Sequence, residues 1–121
     1  MLTGGRGEQH RAFGIDRRVV VDHGRIFGPR LATIPLVTTT PALGNLVAGM
    51  GGLQAVVGAL CIANQRLPAR LHGTSPAPGL LAGGAPSAPA KLRHVLVCSA
   101  SQGGHNAAVV LFDDGDEEWV G

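Results

Sequence analysis

The side chains of this sequence that could carry out covalent or acid–base chemistry are two cysteines and five histidines. Cys61 and Cys98 lie in apolar runs without the spacing of a metal site, which predicts reduced, structural thiols. Four histidines also lack ligand spacing, and we expect them at the surface or hydrogen-bonded in a core: His10, His23, His72 and His94. We therefore predict no metal site and no cofactor.

The fifth histidine, His105, follows two glycines and precedes an asparagine. In a turn, Gly103, Gly104 and Asn106 would tolerate a positive φ, and His105 would simply be exposed. A general base would need a carboxylate or a nucleophile near it, and the neighbouring sequence offers neither. The pattern favours a turn.

Asn45 and a glycine-rich stretch near the N-terminus are further candidates. Asn45 could cap a helix by accepting a hydrogen bond from a backbone amide, which is the interpretation we favour. It could also donate a hydrogen bond in an active-site cleft that another chain completes. The stretch from Gly4 to Gly7 has the composition of a phosphate cradle, but no strand precedes it and no helix starts directly after it.

An uncharged segment must position these residues. No charged residue lies between Arg30 and Arg66, and the part from Asn45 to Asn64 has the length of a helix rather than a strand. Small residues recur at every fourth position on two faces: Gly51, Ala55, Ala59 and Ala63 on one, and Gly44, Ala48 and Gly52 on the other. Because a helix that is apolar all round belongs in a core, we predict that it is covered on every side.

The same segment also meets some of the criteria for a membrane-spanning helix. The uncharged run from Leu46 to Ala63 has about the 18 residues that a span requires, and small residues at spacing four suit packed membrane helices. Gln54 in mid-segment, several glycines and the lack of aromatic residues at either end argue against a span. We favour a buried helix of a soluble protein. Because no apolar signal sequence opens the chain, we predict a cytoplasmic location.

The rest of the chain is divided by turn signals. Residues 1–15 are predicted to be a loop, Asp16 to Phe27 a short helix and Ile34 to Thr39 a buried strand, followed by a turn from Thr40 to Gly44. Residues 69–90 are rich in Pro, Gly, Ser and Ala and are predicted to form an irregular surface connector.

Two apolar runs, Arg93 to Cys98 and Ala107 to Phe112, flank a Gly-Gly bend and predict a hairpin. We expect residues 113–121 to be an acidic tail and residues 16–112 to be one α/β domain.

Charge is distributed unevenly along the chain. Five of the eight acidic residues lie in the C-terminal segment: Asp113, Asp114, Asp116, Glu117 and Glu118. The remainder is strongly basic, which favours an acidic protein partner. No aromatic residues alternate with the arginines and no base-reading motif is present, so we predict that the chain does not bind nucleic acid.

Three stretches together resemble the C-terminal part of the β-ketoacyl-acyl carrier protein synthases, the family of thiolase-like ketosynthases and chain-length factors. They are Val37 to Thr40 with Gly44-Asn45, the Gly/Ala-rich helix followed by Pro68, and Gly103 to Asn106 in the final hairpin. The resemblance covers residues 4–112, about the last third of a family member. It implies a partial thiolase-like layered fold in which helix 45–64 packs against a small mixed sheet ending in a hairpin.

The departures from the family pattern fall on its catalytic residues. The family's nucleophilic cysteine belongs to an N-terminal half that is missing here, and neither Cys61 nor Cys98 matches it. Its lysine position is Thr40 and its second histidine position is Asn45. Decarboxylative condensation needs a thiolate to hold the acyl chain and donors to stabilise the enolate. The resemblance therefore implies a protein of fatty acid or polyketide biosynthesis that is not active alone.

The resemblance also implies a site and partners. The family's Gly-Gly turn presents backbone amides towards the thioester oxygen, which marks four positions for substrate binding: Gln102, Gly103, Gly104 and Asn106. The expected partners are a ketosynthase subunit, in a hetero- or homodimer, and an acyl carrier protein whose acidic surface would suit the basic chain. A truncated, inactive ketosynthase fragment and a small membrane-associated protein stay open as alternatives.

Overall fold

The computed structural model describes residues 24–71, 78–100 and 104–115. Residues 24–27 are helical and lead into a 3-10 helix, Gly28–Thr33. The helices that follow are α1 (Thr40–Leu43), a 3-10 turn (Val47–Gly49) and α2 (Met50–Asn64). Four strands complete the described chain: β1 (Arg66–Leu67), β2 (Ala88–Pro89), β3 (His94–Ala100) and β4 (Asn106–Phe112).

The strands form two separate two-stranded antiparallel sheets. In the larger one, β3 and β4 pair from His94 opposite Phe112 to Ala100 opposite Asn106, which confirms the predicted hairpin. The α/β class is also right at this level. The prediction of one mixed sheet is wrong for the described residues, since the only parallel pairing there is an isolated bridge between Pro35 and Leu81.

The predicted strand from Ile34 to Thr39 is also wrong. Leu36 donates its backbone N–H to Leu81 O at 2.9 Å, but no further ladder forms among the described residues. Pro35 has no amide hydrogen to extend the pairing. The predicted burial holds in part, because Val37 and Thr39 are buried.

Helix α2 ends at the residue predicted from the sequence, but it begins five residues after the predicted start. It starts at Met50 rather than Asn45, after the 3-10 turn, and it ends at Asn64. Gln65 then adopts a left-handed conformation with φ of 47°. Its Nε2 donates to Ile62 O and to Leu92 O, each at 2.8 Å, and its Oε1 accepts from Leu92 N at 2.9 Å. One side chain thus ties the end of α2 to the segment that enters β3.

Helix α2 packs on the hairpin along one stripe of its surface. Gln54, Gly58 and Cys61 are buried and lie three or four residues apart, so they share a face. The closest approach is at Gly58, where an added Cβ would lie 3.1 Å from Leu111 Cδ1 and 3.2 Å from Val95 Cγ1. An alanine here would need these hairpin side chains to shift by a few tenths of an ångström, and a larger side chain would displace them further.

The prediction that α2 is covered on every side is wrong for the described part of the chain. Val56 is 57% exposed and Leu60 is 55% exposed. A two-stranded hairpin is a single layer, so it covers one face of the helix and leaves the opposite face open. Of the small residues predicted to line packed faces, a Cβ added at Gly51 would lie 3.4 Å from Ser99 Cβ and Oγ, whereas one added at Gly52 would meet nothing within 4 Å.

The connector over residues 69–90 is more ordered than predicted. Arg70 and Ala85 exchange two backbone hydrogen bonds of 2.8 and 3.1 Å, Leu80 is buried, and β2 pairs with β1. Residues 72–77 lie outside the described residues. So do the predicted loop 1–15, residues 16–23 of the first predicted helix and residues 116–121 of the acidic tail.

Candidate functional site

The two positions where the resemblance expects catalytic groups lie on either side of α1. Thr40 begins α1, and its Oγ1 is buried without a hydrogen-bond partner. Gly44 ends the helix with φ of 78°, a conformation that favours glycine. Asn45 follows, and its Oδ1 accepts a hydrogen bond from Val47 N at 2.9 Å. Asn45 therefore serves the backbone, but the prediction that it caps the helix is wrong, because the cap positions of the 3-10 turn and of α2 are Leu46 and Gly49, neither with a side-chain cap.

Two of the four predicted substrate-binding positions are described. Gly104 has φ of 83°, and Asn106 Nδ2 donates to Gly104 O at 3.3 Å, so both serve the turn of the hairpin. His105 is exposed, as the turn interpretation predicted. Gln102 and Gly103 lie outside the described residues.

The structure does not bring the described candidates together into one site. Thr40 belongs to α1 and Asn106 to β4, and within the described ranges these two elements do not contact one another. No group of three or more His, Cys, Asp and Glu side chains among those residues could hold a metal ion.

The two thiols differ in their surroundings. Cys61 is a free thiol buried on the packed stripe of α2, and Cys98 lies half-buried on β3 opposite Ala108. Burial raises the pKa of the Cys61 thiol above its ordinary value of 9.0, because a thiolate would lose its hydration there. Burial therefore disfavours the thiolate of Cys61, the form that acts as a nucleophile.

The raised pKa of Cys61 makes a prediction about alkaline stability. The folded protein holds this proton more tightly than the unfolded chain, so its contribution is complete below the ordinary pKa of 9.0. It is lost as the pH rises through the raised value. We expect the free energy of unfolding, measured by urea denaturation, to fall more steeply above pH 9 in the parent than in Cys61→Val. Equal slopes would contradict the burial of a protonated thiol.

The sequence analysis missed the structural role of Gln54, which entered it only as an argument against a membrane span. Gln54 is 0% exposed, and neither its Nε2 nor its Oε1 has a hydrogen-bond partner. It lies on the packed stripe between Gly51 and Gly58, so its amide is buried between α2 and the hairpin. The spacing from those two glycines was the signal that could have placed it there.

The described residues thus offer backbone amides, a protonated thiol and an apolar helix face. The helix Val47–Asn64 is long and apolar enough to cross a membrane, with a mean hydropathy of 1.5 and 17% of its residues buried; the core helix of a soluble protein meets the same criteria. Comparison with protein families, with curated proteins and with solved structures found no match to this chain.

Proposed function

We propose that this chain is a ketosynthase-like protein of fatty acid or polyketide biosynthesis that is catalytically incomplete and acts as a partner subunit of an active condensing enzyme. The observation that carries the proposal is the one-sided packing of α2, whose apolar outer face is open. The order of a turn at Gly44, a Gly/Ala-rich helix, a connection with Pro68 and a closing hairpin supports it. This is the order that the resemblance to the ketosynthase C-terminal part implies, and it fits a partial thiolase-like layered fold.

The residues support the incomplete chemistry. Thr40 and Asn45 stand where the resemblance places the family's lysine and histidine, and burial raises the pKa of Cys61, which disfavours the thiolate that acyl transfer needs. In this proposal, the partner supplies the thiolate and the proton-transfer groups. The chain contributes the Gly-Gly turn that the resemblance places at Gly103 and Gly104, whose backbone amides would face the thioester oxygen in the cytoplasmic complex.

The exposed apolar side chains on the outer face of α2 favour the binding of a protein partner over contact with water. Val56 and Leu60 are more than half exposed, and removing apolar surface from water contributes about 25 cal/mol per Å². A layered α/β fold covers such a helix with a second layer of structure. In the proposed complex, the condensing enzyme provides that layer, and the basic chain attracts its acyl carrier protein.

The test is association with a purified ketosynthase-type condensing enzyme, followed by size exclusion with light scattering. We expect a complex with the parent chain and a loss of affinity of at least about tenfold in Leu60→Asp, since the carboxylate would be buried without a partner. Ile26→Asp is the matched control, because Ile26 is 76% exposed and lies outside α2. No complex with the parent, or equal binding by Leu60→Asp, would refute the proposal.

A membrane-associated protein is the second candidate, favoured by the length and hydropathy of Val47–Asn64. Flotation with phosphatidylcholine vesicles separates the two. A membrane protein would float with the vesicles in the parent form, whereas the partner subunit would stay in the soluble fraction. An inactive fragment would neither float nor form the complex.

A further inference from the structure

We propose that the outer edge of β4 pairs with the same edge of a second copy of this chain, in the antiparallel direction, so that two hairpins form one four-stranded sheet. The outer edge is the side of β4 that faces away from β3. It is a different surface from the outer face of α2, and the inference does not depend on the proposed function.

The hydrogen bonds of the hairpin identify the backbone groups on this edge. Asp113 N donates to Arg93 O at 3.0 Å, so these two residues form a hydrogen-bonded pair. Hydrogen-bonded and non-hydrogen-bonded pairs alternate along an antiparallel ladder. Every second residue of β4 therefore directs its N–H and C=O away from β3: Asn106, Ala108, Val110 and Phe112. Within the described residues β4 pairs with β3 alone, so these groups have no strand partner there.

The outer edge also lacks the features that prevent strand pairing in natural sheets, such as charged residues, proline, bulges or a very short strand. All seven residues of β4 are uncharged, none is proline, and their register with β3 is continuous. Val110 is 55% exposed and Phe112 is 64% exposed. Because a sheet of only two strands is marginally stable, the addition of further strands is favourable.

The register of such a pairing points to a second copy as the partner. If β4 pairs with itself about a twofold axis at Val109, Ala108 lies opposite Val110 of the second copy. In this register every outward-facing N–H and C=O of β4 meets a partner, because the four residues that carry them lie opposite one another.

The same register is complementary in charge at its ends. His105 precedes β4 and Asp113 follows it, and both are exposed. His105 of each copy therefore lies opposite Asp113 of the other copy. An imidazole can donate a hydrogen bond to a carboxylate, and no like charges face one another along the paired strands.

The two edges of the hairpin differ, which limits the assembly to two chains. On β3, Leu96 and Cys98 each make a further interaction, so we place the contact on β4 alone. An interface formed by the same strand of both copies is isologous and closes at a dimer.

Disulfide trapping tests the register directly. At the twofold axis, the two copies of residue 109 form a non-hydrogen-bonded pair with Cα atoms about 4.5 Å apart, which is within the range of a disulfide. In Val109→Cys, diamide takes two electrons and two protons from the two thiols as the S–S bond forms and is itself reduced to a hydrazine. We expect a covalent dimer on non-reducing gels, and peptide mass spectrometry should map the bond to residue 109 of both chains.

Ala107→Cys is the matched control, because Ala107 is exposed and lies on the same face of β4. In the proposed register the two copies of residue 107 are about 13 Å apart along the strands, too far for a disulfide. We expect Val109→Cys to cross-link at least about tenfold faster than Ala107→Cys, with the parent giving the background from Cys61 and Cys98. Equal rates, or a faster reaction of Ala107→Cys, would overturn the inference.

Sedimentation equilibrium tests the dimer without a covalent bond. One pair of strands buries less than a standard interface of about 1,600 Å², so we expect a reversible dimer whose population rises with protein concentration. Ala108→Pro removes an outward N–H that β3 does not use, and it should lower the association constant at least about tenfold while circular dichroism stays unchanged.

Ala108→Ser is the control at the same position, since it keeps the N–H and should dimerise like the parent. A parent that stays monomeric, or a dimer that Ala108→Pro does not weaken, would contradict the proposed edge. Assemblies larger than a dimer would contradict the closed pairing.

Discussion

Replacing Gly58 with leucine should lower the free energy of unfolding by about 3 kcal/mol, the upper end of the range for overpacking a core. A Cβ at this position would already lie 3.1 Å from Leu111 Cδ1, 3.2 Å from Val95 Cγ1 and 3.4 Å from Val97 Cγ2. Three side chains from both strands would have to move together, so no single rotamer change relieves the contact. Chemical denaturation followed by circular dichroism measures the effect.

Gly52→Ala is the matched control on the same helix. Nothing lies within 4 Å of a Cβ at Gly52, so alanine meets no neighbour and removes the conformational cost of glycine in a helix. We expect Gly52→Ala to raise the free energy of unfolding by up to about 1 kcal/mol. If Gly58→Leu were as stable as the parent, the helix would not pack on the hairpin at Gly58.

The hairpin and the end of α2 could be predicted because their signals are local. The bend glycines separate two apolar runs of strand length, and Asn64 precedes Pro68 by a few residues. The start of α2 could not be predicted in the same way. Asn45 uses its side-chain oxygen for the amide of Val47, which forms a 3-10 turn, and the cap position of α2 is Gly49, with no side-chain cap.

Which face of α2 packs against the hairpin could not be predicted from the local sequence, because it depends on residues far away in the chain. Fourfold spacing identified two faces of small residues, but Gly58, the point of closest approach, belongs to neither. The stripe of α2 that contains Gly58 faces the hairpin, and Val95, Val97 and Leu111 lie directly against it. The predicted strand from Ile34 failed for a similar reason, since its pairing depended on Leu81, far away in the sequence.

In the candidate site, too, local features could be predicted from the sequence and features that depend on distant residues could not. The backbone roles of Asn45 and Gly104 followed from residue type and position. Gln54 was missed because a single polar residue in an apolar helix was weighed only against a membrane span, and its environment depends on which face the hairpin covers.

Replacing Gln54 with methionine should raise the free energy of unfolding by about 1–3 kcal/mol. Both polar atoms of the amide lose water on folding and gain no hydrogen bond, and an unsatisfied buried polar group costs about that much. Methionine has a similar length, no strong polar group and enough flexibility to fill the same space between α2 and the hairpin. Thermal and urea denaturation of the two proteins measure the difference.

Gln54→Glu is the matched variant of nearly the same shape, and it should be destabilised by about 3 kcal/mol or more at pH 7 because its charge would be buried without a partner. Burial would raise the pKa of this carboxyl in the folded state. The variant should therefore keep its stability below the ordinary glutamate pKa of about 4.3 and lose it as the pH rises through the raised value. Gln54→Met should differ from the parent by the same amount at every pH. If Gln54→Met were instead less stable than the parent, the amide would have hydrogen-bond partners in solution, and the interface between α2 and the hairpin would be a polar one that depends on Gln54.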